Sequence, residues 1–159
     1  MSLAQQALAE LNAAHEYFNR STRNLTETHS TVTPAAGMMS AAQQVAHAAQ
    51  TVEWFIDGAF RPEGFDTNFA AHAKILEGCT SLDAARAWFE KAMAAAKATV
   101  SAKSDADLMT PLPPGPIMGG LPRMAVFGAI TDHTAHHRGA LTVYARLRGI
   151  VPQMPYGDM

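Results

Sequence analysis

LPRMAVFGAITDHTAHHRGALTVYARLRG, residues 121–149, carries three of the chain's seven histidines on what its spacing predicts to be one long helix. At roughly 100° per residue, Val126, Ile130, His133, His137, Leu141, Tyr144 and Arg148 fall within about 60° of one line, whereas His136 is turned off it by about 100°. His133 and His137 are therefore expected to face inward together. Two imidazoles at i, i+4 stand one above the other, the spacing that lets H-x-x-x-H grip one metal ion in zinc proteases. No Glu follows His133, so the general base of H-E-x-x-H is missing and the protease reading fails. Spacing alone leaves two readings of the pair: two ligands of a metal that needs a third, or a core histidine with a hydrogen-bonded neighbour.

Working outward, Pro111, Pro113, Pro114 and Pro116 with Gly115, Gly119 and Gly120 forbid helix before Pro122, which suits a first helical turn; Gly149 and Pro152 supply the stop. A third long helix runs from the cap Ser81 to about Ser104, with Leu82, Ala85, Phe89, Ala92, Met93, Ala96 and Val100 on one face. A second opens at Ser40, with Gln43 completing a capping box, and runs to about Asp57, where Gly58 is expected to stop it. The first covers about Ser2 to Thr28, with Leu8, Leu11, His15, Phe18 and Leu25 inward; Thr31 to Gly37 connects it to the second. A short helix is expected around Asp66 to Glu77, between the second and third. No alternating β-branched run occurs. The chain thus reads as all-α, a four-helix bundle with a short extra helix, and residues 1–159 read as a single domain whose two long connections leave room for a crossover.

Composition narrows the function. Apolar residues make up 48% and charged ones 16% of 159 residues, too apolar for a disordered chain and without the uncharged run of about 18 residues that a membrane span needs. Lys and Arg number 12 against 14 Asp and Glu, a formal charge of −2, so nucleic acid and anionic membrane are not expected partners. The first twenty residues lack a basic stretch followed by an unbroken apolar one, which points to the cytoplasm. One cysteine, Cys79, permits no internal disulfide and no cysteine-built zinc site; with no histidine near it in sequence, it is expected to take no part in chemistry.

A third ligand has four candidates. His15 lies in the core stripe of the first helix. His47 sits mid-way along the second, beside Gln43, Gln44, Gln50, Thr51 and Trp54, with the apolar Val45, Ala48, Val52 and Ile56 on the other side. That face is either solvated or borders a wet pocket inside the bundle. His29 and His72 are expected at the solvated surface.

The stretches AGMMSAAQQVAHAAQTVEWF (36–55) and LPRMAVFGAITDHTAHHRGALTVYARLRGIVPQMPYG (121–157), with a capped helix bearing a mid-helix His and an H-x-x-x-H-R-G core, resemble the DinB/YfiT-like superfamily. The resemblance spans essentially the whole chain. It implies an up-down-down-up four-helix bundle holding one divalent metal, zinc or nickel, on His47, His133 and His137. Two positions depart from the family pattern: Ala140 stands where Gln is common after H-R-G, and Met38 or Met39 where an aromatic residue often precedes the helix cap.

Three imidazoles would leave a coordination position open, as in catalytic sites. The resemblance implies a metal-dependent enzyme that transfers a low-molecular-weight thiol to a small electrophile or isomerises through a thiol adduct; a metal-dependent hydrolase is the alternative, and a non-catalytic bundle stapled by its metal and acting as an interaction module is a third reading. No catalytic residue beyond the ligands is identified, Glu53 being the nearest candidate base. His15, Trp54, Tyr144 and Arg148 are candidate pocket residues, the last two for an anionic or thiol substrate. On the back of the last helix, Ala125, Gly128, Ala129, Gly139 and Val143 suggest a close neighbour, either the short helix folding back or a second copy in a homodimer.

Overall fold

Serines open the first three long helices of the computed structural model, which describes residues 1–157. Ser2 Oγ accepts the Gln5 amide of α1 (Leu3–Thr22), Ser40 Oγ that of Gln43 in α2 (Ala41–Phe60), and Ser81 Oγ that of Ala84 in α4 (Leu82–Ser101). In the first two the glutamine side chain returns the bond to the serine amide, so two otherwise orphaned donors are satisfied at once. The shorter α3 (Phe69–Glu77) and α5 (Asp105–Met109) lie in the connections, and α6 (Ala125–Leu147) is the last element. It has no side-chain cap. Its approach is fixed instead by the proline segment, where Met124 N–H reaches Leu108 O at 2.9 Å and Arg123 N–H reaches Thr110 O at 3.0 Å.

Tertiary bonds give the helix directions. Arg86, at the start of α4, donates to Thr22 O and Leu25 O beyond the end of α1, and Leu3 N–H at the other end donates to Asp105 past α4; α1 and α4 are antiparallel. Tyr144 near the end of α6 bonds Met39 O at the start of α2, so these two are also antiparallel. Ser21 near the end of α1 bonds Gln153 O beyond α6, which makes α1 and α6 parallel. The bundle is therefore up-down-down-up, with α2 packed on α4 and α6, and α1 on α4 and α6. The parallel α2 and α4 need a crossover, and α3 lies in it.

Ala42, Ala46, Ala49 and Ala59 of α2 are fully buried, and such small residues let the helices approach closely. Phe18 and Phe89 stack with centroids 4.4 Å apart in the core between α1 and α4. All seven residues of the predicted α4 stripe are buried.

Several expected boundaries move, each for a tertiary reason. The first helix ends at Thr22 rather than Thr28: the Thr22 hydroxyl bonds back to Phe18 O at 2.9 Å and Arg86 takes the freed carbonyls, after which a 3₁₀ turn (Glu27–His29) follows. The second runs through Gly58 to Phe60, because Gly58 is a packing position; a Cβ there would stand 2.1 Å from Phe65 Cδ1. The short helix starts at Phe69, capped by Asn68, rather than at Asp66. The third stops at Ser101, and the Ser104–Asp107 capping box starts α5, an unexpected turn anchored by the buried Leu108. No helix among the described residues is long and apolar enough to cross a membrane.

Candidate metal centre

Because α2 and α6 run antiparallel, the middle of one faces the middle of the other. His47 meets His133 and His137 there, and one ring nitrogen from each lies within 4.8 Å of the other two. The His47 ring is set edge-on to both partners, with centroids 5.1 Å from His133 and 4.9 Å from His137. His133 Nε2 and His137 Nε2 are 3.2 Å apart.

A hydrogen-bonded chain fixes the proton on His137. Tyr144, 1% exposed, donates its only hydroxyl proton to Met39 O at 2.8 Å. Its oxygen must then accept from the Gln44 amide nitrogen, 3.2 Å away. That orientation turns Gln44 Oε1 toward His137 Nδ1, where it accepts the ring N–H. The Nε2 lone pair of His137 is thereby left facing His133, the arrangement that outer partners impose on metal-binding imidazoles.

Burial keeps the cluster uncharged. It lowers the pKa of His133 to about 4 and that of His137 to about 3, with neighbouring histidines adding to the effect, and it lowers His47 in the same direction. Neutral imidazoles are the form that binds metal. His47 Nδ1 is buried with no hydrogen-bond partner, and among the described residues no carboxylate joins the three nitrogens. An orphaned His47 nitrogen, a His137 lone pair directed at His133 Nε2 3.2 Å away and a fixed His137 tautomer all suit a cation, so the residues present fit a divalent metal.

A cavity of about 320 Å³ opens beside His47 and His133. Gln50 and Thr51, 8% and 9% exposed, border it, so the polar side of α2 faces an interior space rather than bulk water. Its roof is the inner side of α3, tied to α2 by bonds from Gln43 to Leu76 O, Gln50 to His72 O and Trp54 to Asp66 O. Trp54 lines the cavity, as expected for a pocket residue.

Three other expected pocket residues lie elsewhere. His15 is between α1 and α4, its Nε2 2.8 Å from Glu90 Oε2 and its Nδ1 2.9 Å from Lys97 Nζ, so it is neither a pocket residue nor a third partner of His133 and His137. Tyr144 is sealed beneath Gln44, where it holds the relay instead of a substrate. Arg148 is exposed at the end of α6. His72, expected at the surface, lines the cavity with its Nε2 3.0 Å from Asp66 Oδ2. The pair straddles the start of α3, and an acid six residues before a histidine across a cap is the one sequence signal that pointed to it. His29 caps the 3₁₀ turn by accepting the Thr26 amide. Glu53 lines a neighbouring depression with Asp57 and Arg61. Cys79 is away from the cavity, and burial pushes its thiol up. On the back of α6, a Cβ at Gly128 or Gly139 would meet nothing within 4 Å, so the short helix does not fold over that face.

The sequence pattern of the DinB superfamily matches residues 5–141, a span that includes all three clustered histidines. A crystal structure described as the conserved protein of locus from Enterococcus faecalis shares the fold, with a TM-score of 0.67 over 92% of this chain and 97% of that one at 14% identity. No curated protein matches the chain.

Proposed function

The chain belongs to the DinB superfamily, and from that premise we propose that it is a single-domain, metal-dependent enzyme whose His47, His133 and His137 hold one zinc or nickel ion. The observation that supports this best is a cluster of three neutral imidazoles, with no carboxylate, bordering a cavity large enough for a small molecule. An ion so held, when bound, lowers the pKa of a water or thiol and polarises a carbonyl. The polypeptide's part is to present three lone pairs, to keep the His137 proton on Nδ1 through Gln44, and to exclude bulk water with Trp54, Leu76 and the rest of the α3 roof.

The preferred reaction is transfer of a low-molecular-weight thiol to a small electrophile. Among the described residues the cavity wall holds no cysteine, serine or lysine, and in this reading the attacking atom arrives with a second substrate. The thiol passes its proton to water, its sulfur forms the S–C bond, and the leaving group departs with the electron pair of the broken bond. Hydrolysis is the second reading, favoured by His72, which Asp66 orients at the cavity wall as a group able to take a proton from water.

The test is a screen of zinc- and nickel-loaded protein against common bacterial thiols with electrophilic acceptors, beside a panel of esters and amides. Turnover of the first set that disappears on chelation supports thiol transfer; turnover of the second alone transfers the assignment to a hydrolase. An ion that resists chelators until the helices melt would mark a structural staple and an interaction module instead. We further propose that the exposed Gly128, Gly139 and Val143 face of α6 meets a second copy, and Gly139→Leu should convert a sedimenting dimer to monomer.

A further inference from the structure

The cavity has two unlike ends. His47 and His133 form one, and the walls leading away are Met39, Trp54, Phe55, Phe69 and Leu76. Neither lysine nor arginine lines it. Five of the chain's twelve cations are engaged elsewhere: Arg86 on Thr22, Lys97 beside His15, Lys103 and Arg123 over the Phe60 ring, and Arg138 over Tyr17. The depression adjoining the cavity carries Glu53, Asp57 and Asp66 against a single Arg61, which is itself 3.9 Å from Asp57. An approaching anion therefore meets acidic side chains outside and neither lysine nor arginine on the walls, and a carboxylate moved into the metal-free space exchanges its hydration for the neutral Gln50, Thr51 and His72 side chains, with no side-chain cation to pair it.

The aromatic walls favour the opposite kind of molecule. Trp54 is flanked by Phe65 at 4.7 Å and Phe69 at 6.1 Å between centroids, and its indole N–H is already engaged by Asp66 O at 2.7 Å, so it presents ring surface rather than a donor. Phe69 is 58% exposed although its ring borders the cavity, which makes it apolar surface that the protein itself leaves uncovered. The volume, about 320 Å³, is at the small end of ligand sites.

We propose that the substrate seated here, the electrophile rather than the thiol, is an uncharged, largely apolar molecule of one or two rings, held against Trp54 and Phe69, and that the cavity walls themselves favour it over a carboxylate of the same size. The orientation of its reactive group toward His47 and His133 rests on the metal-enzyme reading above; the binding itself does not. This replaces the expectation of an anionic substrate held by Tyr144 and Arg148, neither of which reaches the cavity.

The test uses the full-length, metal-free protein with two bicyclic probes of one size, 2-naphthalenemethanol and 2-naphthoate, followed by NMR of the Trp54 indole N–H with Trp88, outside the cavity, as internal reference. The alcohol should shift Trp54 and not Trp88, and bind at least tenfold more tightly than the carboxylate. Phe69→Ala should weaken it by about tenfold while leaving zinc stoichiometry unchanged. Equal or tighter binding of 2-naphthoate overturns the proposal, as does a Trp54 signal that neither probe moves in protein that still loads zinc. Binding of the alcohol by protein that fails to load zinc upholds the proposal and overturns the metal reading instead.

Discussion

His15 and the His133–His137 pair occupy the same kind of position on a helical wheel, each in the inward stripe of a long helix, and the bundle treats them in opposite ways. At His15 the polypeptide supplies both partners, Glu90 at 2.8 Å and Lys97 at 2.9 Å. At the α2–α6 seam it supplies a proton acceptor for one nitrogen of His137 and then stops, leaving the Nε2 atoms of His133 and His137 only each other, 3.2 Å apart, and an orphaned His47 Nδ1. An inward histidine is thus diagnostic by what its neighbours fail to provide, and burial by itself says little. A histidine flanked by charged side chains at ion-pair distance is structure; several that turn chiefly to one another form a candidate site.

The sharpest way to break this contrast is metal affinity. His133→Ala or His47→Ala should weaken zinc binding by more than about a hundredfold, measured by competition with a chromophoric chelator, while His15→Ala leaves it unchanged. Equal affinities in all four proteins would erase the distinction between the two settings.

Acid should separate them next. His133 and His137 have folded pKa values of about 4 and about 3 against 6.5 in the unfolded chain. Above pH 6.5 both states are neutral and no effect arises. Between 6.5 and about 4 the unfolded chain takes protons that the folded one refuses, so the stability of metal-free protein falls as pH falls, by on the order of 3 kcal/mol for each of the two groups, and levels off near pH 3. Urea melts across this range should show that loss in wild type and a flatter profile in His133→Ala.

The relay behind His137 comes third. Gln44→Leu removes the acceptor of the Nδ1 proton and should cost roughly 10–100-fold in zinc affinity, with Tyr144→Phe costing less because Gln44 remains. Smallest of all, Glu90→Gln should lower stability by no more than about 1 kcal/mol, since that carboxylate is half exposed beside His15, and zinc titrations should not register it.

Much of this fold is legible in the sequence because its signals are local. The α4 stripe, the Ser81 cap and the Ser40–Gln43 capping box depend on residues three and four apart, and the structure places them as the spacing predicts. Where α1 ends was not legible, since the carbonyls of Thr22 and Leu25 are capped by Arg86, more than sixty residues on. The start of α5 was written in Ser104 and Asp107 but is too short for a hydrophobic period to announce. Within the site, the inward direction of His133 and His137 follows from the helical wheel, whereas His47 does not: its neighbours Gln44, Gln50 and Thr51 look like a solvated face. They are buried because Gln44 bonds Tyr144, Gln50 bonds the α3 backbone and Thr51 borders the same internal cavity, and a hydropathy pattern has no symbol for an internal polar wall. His72 escaped for the related reason that its partner Asp66 lies on the far side of a helix cap.

The roof of that cavity has a thermal consequence. Of the nine residues of α3 only Leu76 is buried, and side chains of α2 fasten the segment at three carbonyls. Little apolar area must be rehydrated to lift it, in contrast to α4, which buries seven residues. Amide protons of α3 should therefore exchange with deuterated solvent orders of magnitude sooner than those of α4, through openings far below the energy of global unfolding. Molecules can then come and go on the timescale of one small helix detaching, while the four long ones keep the histidines in register.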